Sequence, residues 1–175
     1  MNYPQKYVDY LIHFHGDRDY FECHELLEEH WKSSPNRERL WVGLIQLAVG
    51  MYHYRRNNHA GAKKMLSNSL AILRQKRTEV ASIGLDAGQL ILLLEETLQH
   101  VHSGKPYQSI NLPITDDHLL ALCQSGCKQT GLYYGEPSDC NNLDLLNRHM
   151  LRDRSEVIAE RQRQLEIKQK QRSSQ

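Results

Sequence analysis

From residue 5 to residue 104 the apolar side chains recur at intervals of three and four, and almost nowhere at two. That spacing collects them on one stripe of a 3.6-residue turn, so this stretch predicts helices rather than strands. The breaks fall where helix chemistry puts them. Pro4 stands where a first helix can begin, because a proline there gives up no hydrogen bond, and "KYVDYLIHF" continues it. Asp17 or Asp19 can cap a second helix that reaches about Lys32. "SSPN" (33–36) reads as a turn with Asn36 as a candidate cap, ahead of a long helix from about Arg37 to Arg56. "NN" (57–58) interrupts it, and Asn58 can cap a fourth helix to Arg77. Asp86 starts a fifth, "AGQLILLLEETLQHVH", which stops at Gly104 and Pro106. Five core helices joined by short turns define an all-α fold, a compact antiparallel multi-helix bundle.

The pattern changes after residue 104. "KPYQSINLPIT" is extended, since Pro106 and Pro113 forbid a helix. Thr115, Asp116 and Asp117 can cap a short helix, "DHLLALCQSG", and "TGLYYGEPSDCNN" is a loop. The end, 143–175, is helical by propensity but so polar after Ile158 that its last dozen residues are expected to fray. The expected division is a bundle domain over 1–104 and a partly extended, partly helical C-terminal appendage over 105–175.

Hydrophobic residues make up 39% of the chain and charged residues 25%, a water-compatible composition. The longest apolar run, "LWVGLIQLAVGMY" (40–52), is about 13 residues, too short for a bilayer and suited to a central buried helix. No secretory signal opens the sequence, so Cys23, Cys123, Cys127 and Cys140 are expected as reduced thiols in the cytoplasm. The formal net charge of +1 gives no global field for nucleic acid. Its distribution is uneven, however. Residues 1–31 hold seven acids and two bases, and residues 55–77 hold seven bases and no acid. The two runs can be complementary solvated faces, or the 55–77 basic face can be a nucleic-acid surface; within it "YRRNNHAGAKK" (54–64) can bind phosphate near a helix start, or be a solvated basic face.

One stretch holds most of the candidate chemistry. "FECHELLEEHWK" (21–32) contains two histidines and four glutamates, and nearly spells the zinc-hydrolase motif His-Glu-x-x-His. That motif needs histidines four apart on one helix face. Here the residue four after His24 is Glu28, and His30 lies on the other side. On a helical wheel His24 and Glu28 fall among Tyr20, Phe21, Leu27 and Trp31, which predicts an inward-facing His/Glu pair. The next helix offers Gln46 and His53 on one face with Asn57 near the line, and Gly43 and Gly50 that allow close helix approach. A cluster of His24, Glu28, Gln46 and His53 follows. It can be a structural hydrogen-bond network, a ligand pocket, or a divalent-metal site through His24, Glu28 and His53. Cys123-x-x-x-Cys127, with Cys140 and His118 or His149, lacks the Cys-x-x-Cys knuckle of a zinc site and reads by default as ordinary thiols.

These residues carry a resemblance. The order aromatic, His24, Glu25, Glu28, Trp31, then Gly43 to Gln46, His53, and Asn58, Gly61 and Ala62 resembles the bacterial family called domain of unknown function 309, over roughly residues 13 to 75. Cys23 departs from it, standing where a small residue is expected. The resemblance implies an all-helical fold and no particular activity. The polar cluster is thus expected to comprise His24, Glu25, Glu28, Gln46, His53 and Asn58. The chain is expected to act as a non-enzymatic binding or interaction module, with a protein partner or a second copy as its counterpart. A metal-dependent hydrolase or oxidoreductase and a nucleic-acid-associated module are the alternatives.

Overall fold

Asp19, Asn58, Asp86 and Asp116 each turn a side-chain oxygen onto the backbone N–H three residues ahead, of Glu22, Gly61, Gln89 and Leu119. Those four caps fix where four long helices start, by satisfying donors that a helix start leaves orphaned. The structure, a computed structural model, describes residues 2–151 and 155–173. Its helices are α1 (Gln5–His15), α2 (Tyr20–Ser33), α3 (Arg39–Arg55), α4 (His59–Gln75), α5 (Arg77–Ser82), α6 (Ala87–His102), α7 (Asp117–Gln129), the single turns α8 (Leu143–Leu146) and α9 (Arg148–Leu151), and α10 (Ser155–Ser173). Among the described residues the β content is one isolated bridge, Leu85 to Ile114. The all-α expectation holds.

Three starts and stops differ from the sequence reading. Asn36 caps nothing; Arg37 takes a left-handed φ of 41° and α3 begins after Glu38, without a side-chain cap bond. The fourth helix stops at Gln75, because Lys76 leaves helical geometry and α5 restarts from it. α10 stays helical through Ser173, where composition predicts fraying; residues 174 and 175 lie outside the described residues.

α3 is the central helix. It packs between α2 and α4, and α1 closes the core from the α2 side. Tyr10 donates its hydroxyl hydrogen to Leu44 O at 3.0 Å and Tyr7 to Ile83 O at 3.0 Å, so the large buried rings are also polar-satisfied. Along the α3–α4 seam Ser69 Oγ donates to Gly43 O at 2.7 Å. A Cβ on Gly50 would stand 2.6 Å from Leu66 Cγ. The glycines therefore set the α3–α4 spacing; the expectation from the sequence that they bring α2 close to α3 is corrected, since Gly43 faces Ile72 and Leu73 and Gly50 faces Leu66, all on α4.

The segment 105–116 runs as a strap across the bundle. Leu112 is buried, Asp86 N donates to Pro113 O at 2.8 Å, and Tyr54 Oη donates to Pro106 O at 2.9 Å. α7 then packs under α1 so closely that a Cβ on Gly126 would fall 2.2 Å from Ile12 Cδ1. Gly50→Ala should lower unfolding stability by about 1–3 kcal/mol, because a packed core resists an added methyl. Urea titration followed at 222 nm reads this, and an unchanged midpoint would contradict the close α3–α4 contact.

Candidate functional site

The Asp19 cap sets the rotation of α2, and the side chains turned fully inward are Tyr20, Cys23 and Leu27. Cys23 donates its thiol hydrogen to Tyr10 O at 3.3 Å. His24, one residue on, is turned roughly 100° from that line. It sits on the rim with Glu28, their side chains 28% and 37% exposed. The expectation that this pair points into the core is therefore corrected. The wheel located the apolar half of α2 but took His24 for its centre. Cysteine is among the most buried residue types, and that was the available signal.

On this rim His24 Nε2 lies 3.4 Å from Glu28 Oε2, and Glu28 Oε1 lies 2.9 Å from Lys32 Nζ. The three form an i, i+4, i+8 row along α2. Glu25 is half-buried next to it. On α3, Gln46 and His53 are half-buried on the outer face, together with Val42, Ile45 and Val49. His53 Nδ1 is 3.1 Å from Asn58 Nδ2, while Asn58 Oδ1 accepts from Gly61 N at 2.9 Å. A Cβ on Gly61 would stand 2.9 Å from His53 Cγ, so the glycine lets the imidazole lie against the first turn of α4. Burial, then the Arg56 charge, pushes His53 below the ordinary imidazole value. Gln46 Oε1 is buried and receives no hydrogen bond. Among the described residues no group of three or more His, Cys, Asp or Glu side chains is arranged to hold a metal ion.

A second polar constellation has no forecast in the sequence. Arg18, in the α1–α2 corner at φ 58°, is 1% exposed. Its guanidinium donates to Phe14 O (2.9 Å), Ile110 O (2.6 Å), Glu136 O (2.8 Å) and Asn111 Oδ1 (2.7 Å). Arg55 is 6% exposed and stacks 4.7 Å over the Tyr20 ring. Its Nη1 donates to Arg18 O at 2.7 Å and Ser138 Oγ at 2.9 Å. Arg148 Nη2 reaches Asp19 Oδ2 at 3.5 Å. His149 bonds the Tyr52 hydroxyl, and its Nε2 accepts from Arg56 Nη1 at 3.2 Å. The bases of 55–77 thus do not form one solvated face. Arg55 is internal, and Arg74 and Lys76 pair with Glu95 and Glu79.

The remaining titratable core is committed to structure. His15 is fully buried, its Nδ1–H donating to Leu11 O at 2.8 Å and its Nε2 accepting from Leu112 N at 2.9 Å. Burial pushes its pKa down to about 4. Burial pushes the Cys23 thiol well up, Cys123 up to about 12, and Cys127 up as well. Cys140 is exposed in the loop before α8.

Fold and site together define an all-helical protein with a half-open polar and aliphatic face on α2–α4. Residues 7–65 match the family described as "Domain of unknown function (DUF309)". The chain is also similar to an uncharacterized protein, YpuF, of Bacillus subtilis (strain 168). The two are 46% identical over 172 residues, covering 97% of this chain and 99% of that one. The protein belongs to the DUF309 family. No solved structure matches it.

The buried His15 has a consequence for acid stability. Its folded pKa lies below the usual 6.5, so the unfolded chain takes up the proton first. The His15 contribution is fully present above pH 6.5 and is lost as pH falls from there through 4, amounting to about 3 kcal/mol. Urea titrations at pH 7 and pH 4 should show the loss. His15→Gln should be weaker at pH 7 and flatter over the same window. An equally steep loss in the variant would contradict the assignment.

Proposed function

We propose that this protein is a non-enzymatic interaction module, and that the outer face of α3, between α2 and α4, pairs with a second copy of the same chain. The buried thiols support the non-enzymatic part. A thiol whose pKa is pushed up by burial is a poor nucleophile at neutral pH, and Cys23, Cys123 and Cys127 are all of that kind. His15 has both ring nitrogens committed to backbone groups.

The single observation that carries the pairing is Gln46 Oε1, buried on this face without a donor. An unmade hydrogen bond at a buried acceptor costs about 1–3 kcal/mol, so turning the half-buried Gln46 side chain outward to a partner that supplies the donor is favoured. Val42, Ile45 and Val49 stand beside it at i, i+3 and i+7, the spacing with which one helix packs along another. A carboxamide both donates and accepts. Two Gln46 side chains related by a two-fold axis can satisfy each other, as an isologous interface requires. The His24–Glu28–Lys32 row and the His53–Asn58 pair flank the strip as its polar rim.

Sedimentation velocity over a concentration series tests the reading. Wild type should convert from monomer to dimer in the micromolar range. Val49→Glu, which sets two carboxylates near the axis, should stay monomeric with unchanged helicity at 222 nm. Wild type that remains monomeric into the millimolar range would overturn the reading.

A further inference from the structure

We propose that the cleft between the C-terminal end of α3 and the strap binds a small phosphate monoester. The cleft has a volume of about 480 Å³, a size suited to a small-molecule ligand. Arg55 and Arg56 line it from α3, Pro106 and Tyr107 from the strap, and Leu146 and Asn147 from the turn after α8.

The argument begins with Arg55. This guanidinium is more than nine-tenths buried, and its Nε and Nη2 are closed to solvent with no acceptor. Only Nη1 is engaged, by Arg18 O and Ser138 Oγ, both neutral. A buried cation held only by neutral oxygens and by the face of the Tyr20 ring is costly unless an anion answers it. Among the described residues no carboxylate pairs with Arg55. Among the described residues Asp19 is the one buried carboxylate, and it already accepts from Glu22 N and faces Arg148. Arg18, the other buried guanidinium, takes only neutral oxygens.

Arg56 brings a second positive charge to the same cleft. It is held by neutral groups too: His149 Nε2 at 3.2 Å, Asn147 Oδ1 at 3.5 Å and the face of Tyr52 at 5.5 Å. Two cations with no carboxylate beside them among the described residues match a dianion better than a monoanion. A guanidinium fork fits a tetrahedral phosphate with paired N–H donors. The Pro106, Tyr107 and Leu146 walls offer an apolar seat for the organic part of the ester. Binding here is independent of the α3 outer face and of whether the chain pairs with itself.

Isothermal titration of the full chain with phenyl phosphate, inorganic phosphate and benzoate, at constant ionic strength with chloride as the balancing anion, tests the site. Phenyl phosphate should bind saturably at one site per chain, and benzoate at least about tenfold more weakly. Two variants separate the site from the fold. Arg56→Gln removes one of the charges. Asn147→Asp places a carboxylate beside Arg56 and should leave thermal stability equal or higher. Each should weaken phenyl phosphate by about tenfold or more. Absent saturation with either phosphate, benzoate binding as tightly as phenyl phosphate, or unchanged affinity in both variants would each overturn the proposal.

Discussion

The buried guanidinium of Arg18 joins segments that the chain keeps far apart. It reaches 92 residues along the sequence to Ile110 and 118 residues to Glu136 while also closing the end of α1 through Phe14. Its left-handed backbone costs roughly 1–2 kcal/mol, a strain tolerated because four acceptors hold the side chain in place. Removing it would leave the buried Phe14 carbonyl and the part-buried Ile110 and Glu136 carbonyls without that donor, a cost comparable to or larger than the strain. His15 works in parallel from one turn earlier. Its ring accepts from Leu112, its carbonyl accepts from Gly135 N at 2.8 Å, and Tyr134 stacks on it at 4.7 Å. The corner between α1 and α2 is therefore the point where the strap and the loop after α7 are fastened to the bundle.

That fastening gives α3 two unlike sides. On one, Tyr54 and Arg55 are covered by the strap and by Ser138, and the polar atoms of the covering chain decide the chemistry. Carbonyl and hydroxyl oxygens can hold guanidiniums there but cannot neutralise them, which leaves a cationic cleft. On the other side Val42, Ile45, Gln46, Val49 and His53 stay half-buried. An apolar strip with an unanswered amide oxygen is a surface that favours a partner. Both proposals grow from the same asymmetry but call on different forces, ionic in the cleft and apolar on the face.

The features legible in the sequence are those whose cause is local. Asp19, Asn58, Asp86 and Asp116 act on N–H groups three residues away, so their positions alone place four helix starts. The glycines of α3 announce close packing because nothing else explains them in so apolar a helix. The rotation of α2 was legible only to within one residue, and that residue decided whether His24 lies inside or on the rim. Cys23 occupies the inward position because its small thiol fits against the α1 backbone at Tyr10 O. The arginine constellation was not legible at all. Arg18 is held mainly by backbone oxygens, and Arg55 reaches one as well; every residue carries them, so the sequence holds no mark of these partners.

The most direct measurement of this account is amide hydrogen exchange on wild type and Arg18→Met, a change that keeps length and apolar bulk but removes the donors. In wild type the Leu112 and Gly135 amides should exchange as slowly as those of Leu47 and Ala48 in the core of α3. In the variant Leu112 and Gly135 should lose about a hundredfold or more of protection while Leu47 and Ala48 keep theirs, because the strap opens and the bundle does not. Full protection of Leu112 and Gly135 in the variant would contradict the claim that Arg18 holds the strap to the bundle.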